Sequence, residues 1–345
     1  MNANKLNLGR FIHWDWGQNY PFGACMAKVM ECLGGDVSLY TYDFFAGLAG
    51  DDFIMCYGDN GKYNDCVSVC MDNETFLARV CGMIGLEYRL VKHDEWKANA
   101  DLYYGFVKQF IDRGIPVLCA GVGQNCNYEL LTSYDDNSTF CRLSCGDDVQ
   151  YGKDIPFGEI ECDFVFIERL PQIAGLAAVY RNAVMQIPMR MTAEPTKDGV
   201  YYGAEAYRKW AADIRNGRYD RYTAETFDGW AHWGIYICNL ATNAGHGDGF
   251  LRRALELNPE LMFIPELITL FHENDNVWDE LESLGGGFNG TIEVLQNKTK
   301  AAAIADVIEK LAETNEKIVK LIGESYKSSK GDTSWKNGTP IHLNS

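Results

Sequence analysis

The feature that most constrains this chain is a short helix-forming segment near its N-terminus. Pro21 and Gly23 break the chain immediately before a run of good helix formers, and Gly34 and Gly35 end that run. These boundaries predict a helix that begins near Cys25. Its apolar positions cover more than one helical face: Cys25, Met26, Val29, Met30, Cys32 and Leu33. Because a helix that is apolar on several faces is buried, we expect a central helix.

Cys25 is the candidate nucleophile of this helix. A thiol in the first turn of a helix lies beside unpaired N–H groups and the positive end of the helix dipole, and both favour the thiolate. Gln18 precedes it on a turn, where its side-chain amide is placed to donate a hydrogen bond near the thiol. The alternative is a structural thiol, because cysteine is among the most buried residue types and the chain has twelve.

The composition limits the partners. With 345 residues, 47% of them hydrophobic, the chain can bury a large core. The net charge of −17 argues against nucleic acids and anionic membrane surfaces, which need clustered Lys and Arg. A neutral or cationic small molecule or a peptide is the expected partner, and the sequence leaves the oligomeric state open.

The location and the metal content follow from what the sequence lacks. We expect a soluble, cytoplasmic protein, because no segment has the length of a signal-peptide core or a membrane span. The cysteines are then expected to be reduced. The closest pairs, such as Cys66 and Cys70, have no histidine at matching spacing, so no metal site and no cofactor are predicted.

The order of predicted elements divides the chain near residue 170. Helices are predicted over 73–84 and 100–113, after an aromatic-rich segment over 37–61 that is predicted to end in a loop. Four antiparallel strands should follow, over 115–122, 128–134, 139–145 and 162–167, with a hairpin turn at 135–137. From Pro171 onward the apolar stripes are helical. We therefore expect an α+β domain over 1–170, a helical domain over 171–328 and a flexible tail over 329–345.

Several of these features together resemble a known family. Cys25 at a helix start, the Gly34 and Gly35 pair, the aromatic and glycine segment and the strand over 128–136 resemble the N-terminal domain of the butirosin biosynthesis protein H family. They more distantly resemble the double-glycine leader peptidases of bacteriocin exporters, which are papain-like. The second half, with 206–210, resembles the helical domain that often follows the butirosin-type domain. The resemblance implies a papain-like fold, in which a central helix packs on an antiparallel sheet, followed by a mainly helical domain.

The resemblance also implies roles for individual residues. Cys25 would be the nucleophile, with Gln18 and the Cys25 N–H in the oxyanion hole. The family's catalytic histidine corresponds to Asn127, which cannot take a proton at neutral pH. Asp147 corresponds to the aspartate that orients this histidine, and His246, in a glycine-rich segment, is the alternative base if that segment folds across a cleft between the halves.

Two functions are consistent with these residues. One is a cysteine-dependent acyltransferase, or amide or thioester hydrolase, that acts on a small molecule, a peptide or the thioester of an acyl carrier. The alternative is a catalytically inactive protein that binds a small molecule or a peptide on the same fold. Cys25 and Gln18 favour the first, whereas Asn127 favours the second and predicts little or no peptidase activity.

Overall fold

A computed structural model describes residues 4–6, 8, 17–59, 66–122, 127–135, 139–143 and 153–330; at 122, 127, 139–143, 153, 275 and 326–330 it describes the backbone only. Within these ranges the strands are β1 (Asn4–Lys5), β2 (Cys56–Tyr57), β3 (Arg89–Val91), β4 (Val117–Val122), β5 (Asn127–Tyr134), β6 (Thr139–Leu143), β7 (Lys153–Pro156), β8 (Asp163–Phe166) and β9 (Tyr201–Tyr202). The helices are α1 (Pro21–Cys32), α2 (Tyr42–Ala49), α3 (Val67–Cys70), α4 (Asn73–Ile84), α5 (His93–Ala98), α6 (Ala100–Asp112), α7 (Leu176–Met191), α8 (Gly203–Arg215), α9 (Ile235–Thr242), α10 (Asp248–Leu257), α11 (Ile264–Leu284), α12 (Ile292–Gln296) and α13 (Lys298–Lys330).

The main sheet is antiparallel and confirms the α+β prediction. Its strand order is β3-β8-β4-β5-β6-β7, and β1 also pairs with β5. The predicted hairpin pairs β5 with β6, with Tyr134 opposite Phe140. A second, two-stranded sheet pairs β2 with β9, so that Cys56 lies opposite Tyr202. This small sheet joins segments from both sides of position 170.

The helix predicted near Cys25 is buried as expected but begins four residues earlier. Tyr20 is its N-cap and Pro21 its first residue, a position where proline is favoured because its missing N–H has no helical partner. Phe22 packs edge-on against Phe76 of α4 and Tyr128 of β5, with ring centroids 4.7 and 5.0 Å apart. The helix therefore lies directly on the sheet, and Cys25 lies in its second turn.

The segment predicted as an aromatic loop contains a helix. The Thr41 side chain accepts a hydrogen bond from the Phe44 N–H (3.1 Å) at the start of α2, and Gly50 ends the helix in the left-handed conformation. By contrast, α4 begins and ends as predicted, with Asp72 as its N-cap and Gly85 at its C-cap. The aromatic residues hid the helical period of α2 because nearly all of its residues are buried.

Apolar packing runs across the predicted domain boundary. The largest core cluster contains residues of α1, α2, α4 and β5 together with residues of α7, α10, α11 and the end of α13. A second cluster combines residues of the helical half, including the predicted stripe of α8, with Met55 and Tyr57 of the first half. In the described part of the chain, no helix combines the length and the apolar content needed to cross a membrane.

Candidate functional site

The structure places Cys25 inside the protein. Its side chain is completely buried (0% exposed) within the largest apolar core. The first turn of α1, over 21–24, contains proline, phenylalanine, glycine and alanine, so none of its side chains is a nucleophile. The thiol is therefore not at the helix terminus, where the free N–H groups and the helix dipole act most strongly.

The turn formed by residues 17–19, which we call the Gln18 turn, lies against His246. Gly17 has a φ of +74°, and a Cβ added there would lie 3.0 Å from the imidazole ring. Asn19 donates a hydrogen bond to the Thr242 hydroxyl (2.6 Å), and its amide nitrogen is 3.4 Å from Nδ1 of His246. The structure thus places His246 against the two neighbours of Gln18 in this turn.

The remaining predicted residues are less completely described. Asn127 begins β5, and its backbone pairs with that of Val122. Its side chain and the whole of Asp147 lie outside the described residues. Their roles stay predictions.

Asp43 is a residue that the sequence analysis did not select. It lies in the first turn of α2 and faces the start of α10, where a Cβ added to Gly249 would be 3.2 Å from its Oδ2. Desolvation raises the pKa of Asp43, and the nearby His246 lowers it. Asp43 and His246 are therefore electrostatic neighbours at the junction of the two halves, and its position in a capped first turn was the one local signal for it.

The loop that carries His246 is held from its far side. His272 of α11 lies 3.1 Å from the Asp248 carboxylate. Gly245 has a φ of +118°, and a Cβ there would lie 2.6 Å from the His272 ring. Only glycine fits this position, so the backbone fixes His246 next to the Gln18 turn.

A cavity of about 350 Å³ lies beside this junction and is called the α2 cavity below. It is lined by Asp36, Ser38, Leu39, Thr41, Asp43, Phe44, Leu176, Tyr180, Gly249, Phe250 and Arg253. Its aromatic side chains form a continuous surface, because the Tyr180 ring is 5.6 Å from Phe44 and 4.6 Å from Phe250. The carboxylates of Asp36 and Asp43 therefore line the same cavity as this aromatic surface.

The charges of the α2 cavity are not equally available. Asp36 accepts hydrogen bonds from the N–H and hydroxyl of Ser38, which lower its pKa and keep it ionised. Arg253 is already paired with Glu256 at 2.8 Å. The cavity therefore presents a net negative face.

Comparison with known proteins adds no family to this description: neither a protein-family model nor a curated protein matches the chain. In the described residues, no group of three or more His, Cys, Asp or Glu side chains is arranged to hold a metal ion. The candidate site thus rests on its geometry alone.

Proposed function

We propose that this chain is a binding protein on a papain-like fold, which holds a small molecule or peptide with a positively charged group in the α2 cavity. The packing of α1 on an antiparallel sheet supports this fold. The observation that carries the proposal is the separation of Cys25, which is fully buried, from the cavity, which has carboxylates and aromatic rings. Binding then proceeds without covalent attachment to the thiol.

The lining suits an organic cation. A carboxylate accepts a charged hydrogen bond from an ammonium group, and aromatic faces attract the same charge. Asp43 is the better placed carboxylate, because it lies between the cavity and His246. The overall charge of −17 also favours the approach of a cation over that of an anion.

An Asp43→Asn substitution is expected to weaken binding of a cationic probe by about tenfold or more, because a charged hydrogen bond contributes about 1.5–3 kcal/mol. Phenethylamine is a suitable probe, and 2-phenylethanol has the same ring without the charge. Titration calorimetry on the intact chain measures both. The parent should prefer the amine, and Asp43→Asn should lose that preference.

The matched control is Asp101→Asn, which changes an exposed aspartate in the first turn of another helix, α6. Its affinity for the amine should equal that of the parent. Equal affinities of the parent and Asp43→Asn for phenethylamine would exclude the α2 cavity as the cation site.

The second candidate function is acyl transfer by Cys25. The observation that favours it is the contact between the Gln18 turn and His246. This turn directly precedes α1, the helix that carries Cys25. A reactive thiol is required for this function. Burial of the thiol predicts the opposite behaviour.

We expect iodoacetamide to modify Cys25 in the native protein far more slowly than Cys238, which is half-buried. Peptide mass spectrometry over time measures both rates, and denaturation should make them comparable. We also expect Cys25→Ala and the parent to hydrolyse thioester and peptide substrates at the same low rate. Cleavage by the parent that Cys25→Ala abolishes would replace the binding proposal with acyl transfer, and Asn127→His then tests the missing base.

A further inference from the structure

Arg253 is a cation in the lining of the α2 cavity that the proposed function leaves unused. It lies on α10, four residues after Gly249, and both residues line the cavity. Residues four apart lie on the same face of a helix. Asp43 packs against this face, because its Oδ2 is 3.2 Å from the position of a Cβ added to Gly249. A carboxylate and a guanidinium therefore lie about one helical turn apart along α10.

These two opposite charges do not pair with each other. Arg253 forms its ion pair with Glu256, whose Oε2 is 2.8 Å from its Nη1. Asp43 has no ion pair in the part of the chain that the structure describes, although it lines the same cavity as Arg253. An acid and a base that share a cavity without touching leave room for a ligand that carries both charges.

The pair with Glu256 leaves Arg253 able to bind a second carboxylate. It occupies one nitrogen of a guanidinium group that has five N–H donors. Both side chains are about half exposed (49% and 63%), and exposed pairs of this kind are weak. Arg215 of α8 shows that one guanidinium can hold two carboxylates, since it pairs with Asp306 and Glu309 at 2.6 Å each.

The rest of the lining limits the size and the side chain of such a ligand. A volume of about 350 Å³ is near the lower end for ligand cavities, which span about 300–1,000 Å³, so it suits a single amino acid better than a long peptide. The Phe250 ring is 4.6 Å from the ring of Tyr180, and both line the cavity beside the two charges. The second acid, Asp36, is already engaged by the N–H and hydroxyl of Ser38.

We propose that the ligand of the α2 cavity is a free amino acid with an aromatic side chain. Its ammonium group binds Asp43, its carboxylate binds Arg253, and its ring packs on Tyr180 and Phe250. A zwitterion has no net charge, so the negative face of the cavity does not repel it as it repels a simple anion. This inference rests on the proposed function, because it keeps Asp43 as the partner of the ammonium group. It adds Arg253 as the residue that selects for the carboxylate.

The test compares phenylalanine with phenethylamine, which lacks only the carboxylate. Titration calorimetry on the full chain should show that the parent binds phenylalanine about tenfold more tightly, because a hydrogen bond between two charged groups is among the strong ones. Arg253→Met should bring the ratio of the two affinities to about one or below. Both affinities are measured on the same protein sample, so a partial loss of folded protein does not change their ratio.

The matched control is Arg252→Met, which removes the neighbouring arginine of α10. That side chain is 66% exposed, pairs with Asp248 at 3.4 Å and is not part of the cavity lining. This variant should keep the ratio of the parent. Phenylalaninamide, in which an amide replaces the carboxylate, should bind the parent as weakly as phenethylamine does. If it bound as tightly as phenylalanine, the ligand would be the N-terminus of a peptide and not a free amino acid.

Two results would overturn the amino-acid proposal: a parent that binds phenylalanine no better than phenethylamine, or a ratio that Arg253→Met leaves unchanged. Neither result touches the proposed function, provided that Asp43→Asn still weakens binding of phenethylamine. If Asp43→Asn leaves that binding unchanged, the cation site in the α2 cavity is excluded, and the amino-acid proposal is excluded with it.

Discussion

Replacing Arg218 by alanine is expected to lower the free energy of unfolding by about 1.5–3 kcal/mol, the contribution typical of hydrogen bonds to charged groups, because the guanidinium is buried whereas its partner Asp59 is partly exposed. The Arg218 side chain is only 6% exposed and pairs with Asp59 at 3.2 Å. It also donates a hydrogen bond to the Tyr57 hydroxyl. Its guanidinium lies over the rings of Tyr57, Tyr219 and Tyr236, at 5.2–5.8 Å from their centroids. One side chain thus joins the small β2–β9 sheet to the helical half.

Urea denaturation of the parent and two variants measures this loss. The control is Arg215→Ala on the neighbouring helix α8, where the side chain is 34% exposed and pairs with Asp306 and Glu309 at 2.6 Å. Exposed pairs of this kind contribute at most about 1 kcal/mol each. If both variants lost the same stability, the three tyrosines and Asp59 would contribute nothing beyond a surface ion pair.

Local signals in the sequence were sufficient for elements whose caps and stripes agree. Asp72 and Gly85 bound α4 because a carboxylate satisfies the first N–H groups and glycine adopts the left-handed conformation at the end. The α8 stripe of Ala206, Tyr207 and Trp210 is buried as its spacing predicts. The hairpin of β5 and β6 follows from alternation on either side of a polar turn.

The candidate site was less predictable because its residues meet through distant contacts. Asn19 and Thr242 are hydrogen-bonded although 223 residues apart, and no local pattern encodes that contact. The glycine-rich context of His246 marks it as a candidate, and the structure places its ring against the Gln18 turn. The predicted position of Cys25 at the start of the helix is wrong, because Pro21 is the first helical residue and does not break the chain before the helix.

The burial of two acids next to α2 could also not be predicted from the sequence. Asp51 and Asp52 looked like members of a polar loop, yet their side chains are 0% and 1% exposed. Asp51 Oδ1 accepts a hydrogen bond from the Ser68 N–H (2.9 Å). Neither oxygen of Asp52 has a hydrogen-bond partner among the described residues. A loop sequence of this kind indicates exposure, and only the packing of α2, α3 and α4 around it explains the burial.

These acids predict an unusual dependence of stability on pH. Burial raises the pKa of Asp51 to about 6, against the opposing hydrogen bonds from Ser68 and the charge of Arg79. Burial and the charges of Asp43 and Asp51 raise the pKa of Asp52 well above its ordinary value. The folded state then binds protons more tightly than the unfolded state, in which an aspartate has a pKa near 3.9.

This difference in proton affinity sets the direction in which stability changes with pH. The stability contributed by protonated Asp51 is complete below about pH 4 and is lost as the pH rises through about 6, a loss of about 3 kcal/mol. Asp52 acts in the same direction. Asp51→Asn is expected to make the decline between pH 4 and 6 shallower and to leave only the part that belongs to Asp52, because the amide oxygen can still accept the Ser68 hydrogen bond and the amide carries no charge. At pH 7 this variant should exceed the parent in the free energy of unfolding, measured by urea denaturation at each pH.

The control with the opposite sign is Asp36→Asn. Hydrogen bonds from Ser38 lower the pKa of Asp36, so its stabilising effect exists at neutral pH and is lost as the pH falls through that lowered pKa. Removing Asp36 should therefore leave the decline between pH 4 and 6 intact, whereas removing Asp51 should make it shallower. A decline that persists unchanged in Asp51→Asn would mean that Asp51 titrates at its ordinary pKa, and the decline would then belong to Asp52. Because ionised Asp43 adds to the shift of Asp52, a cation bound in the α2 cavity should make that remaining decline shallower.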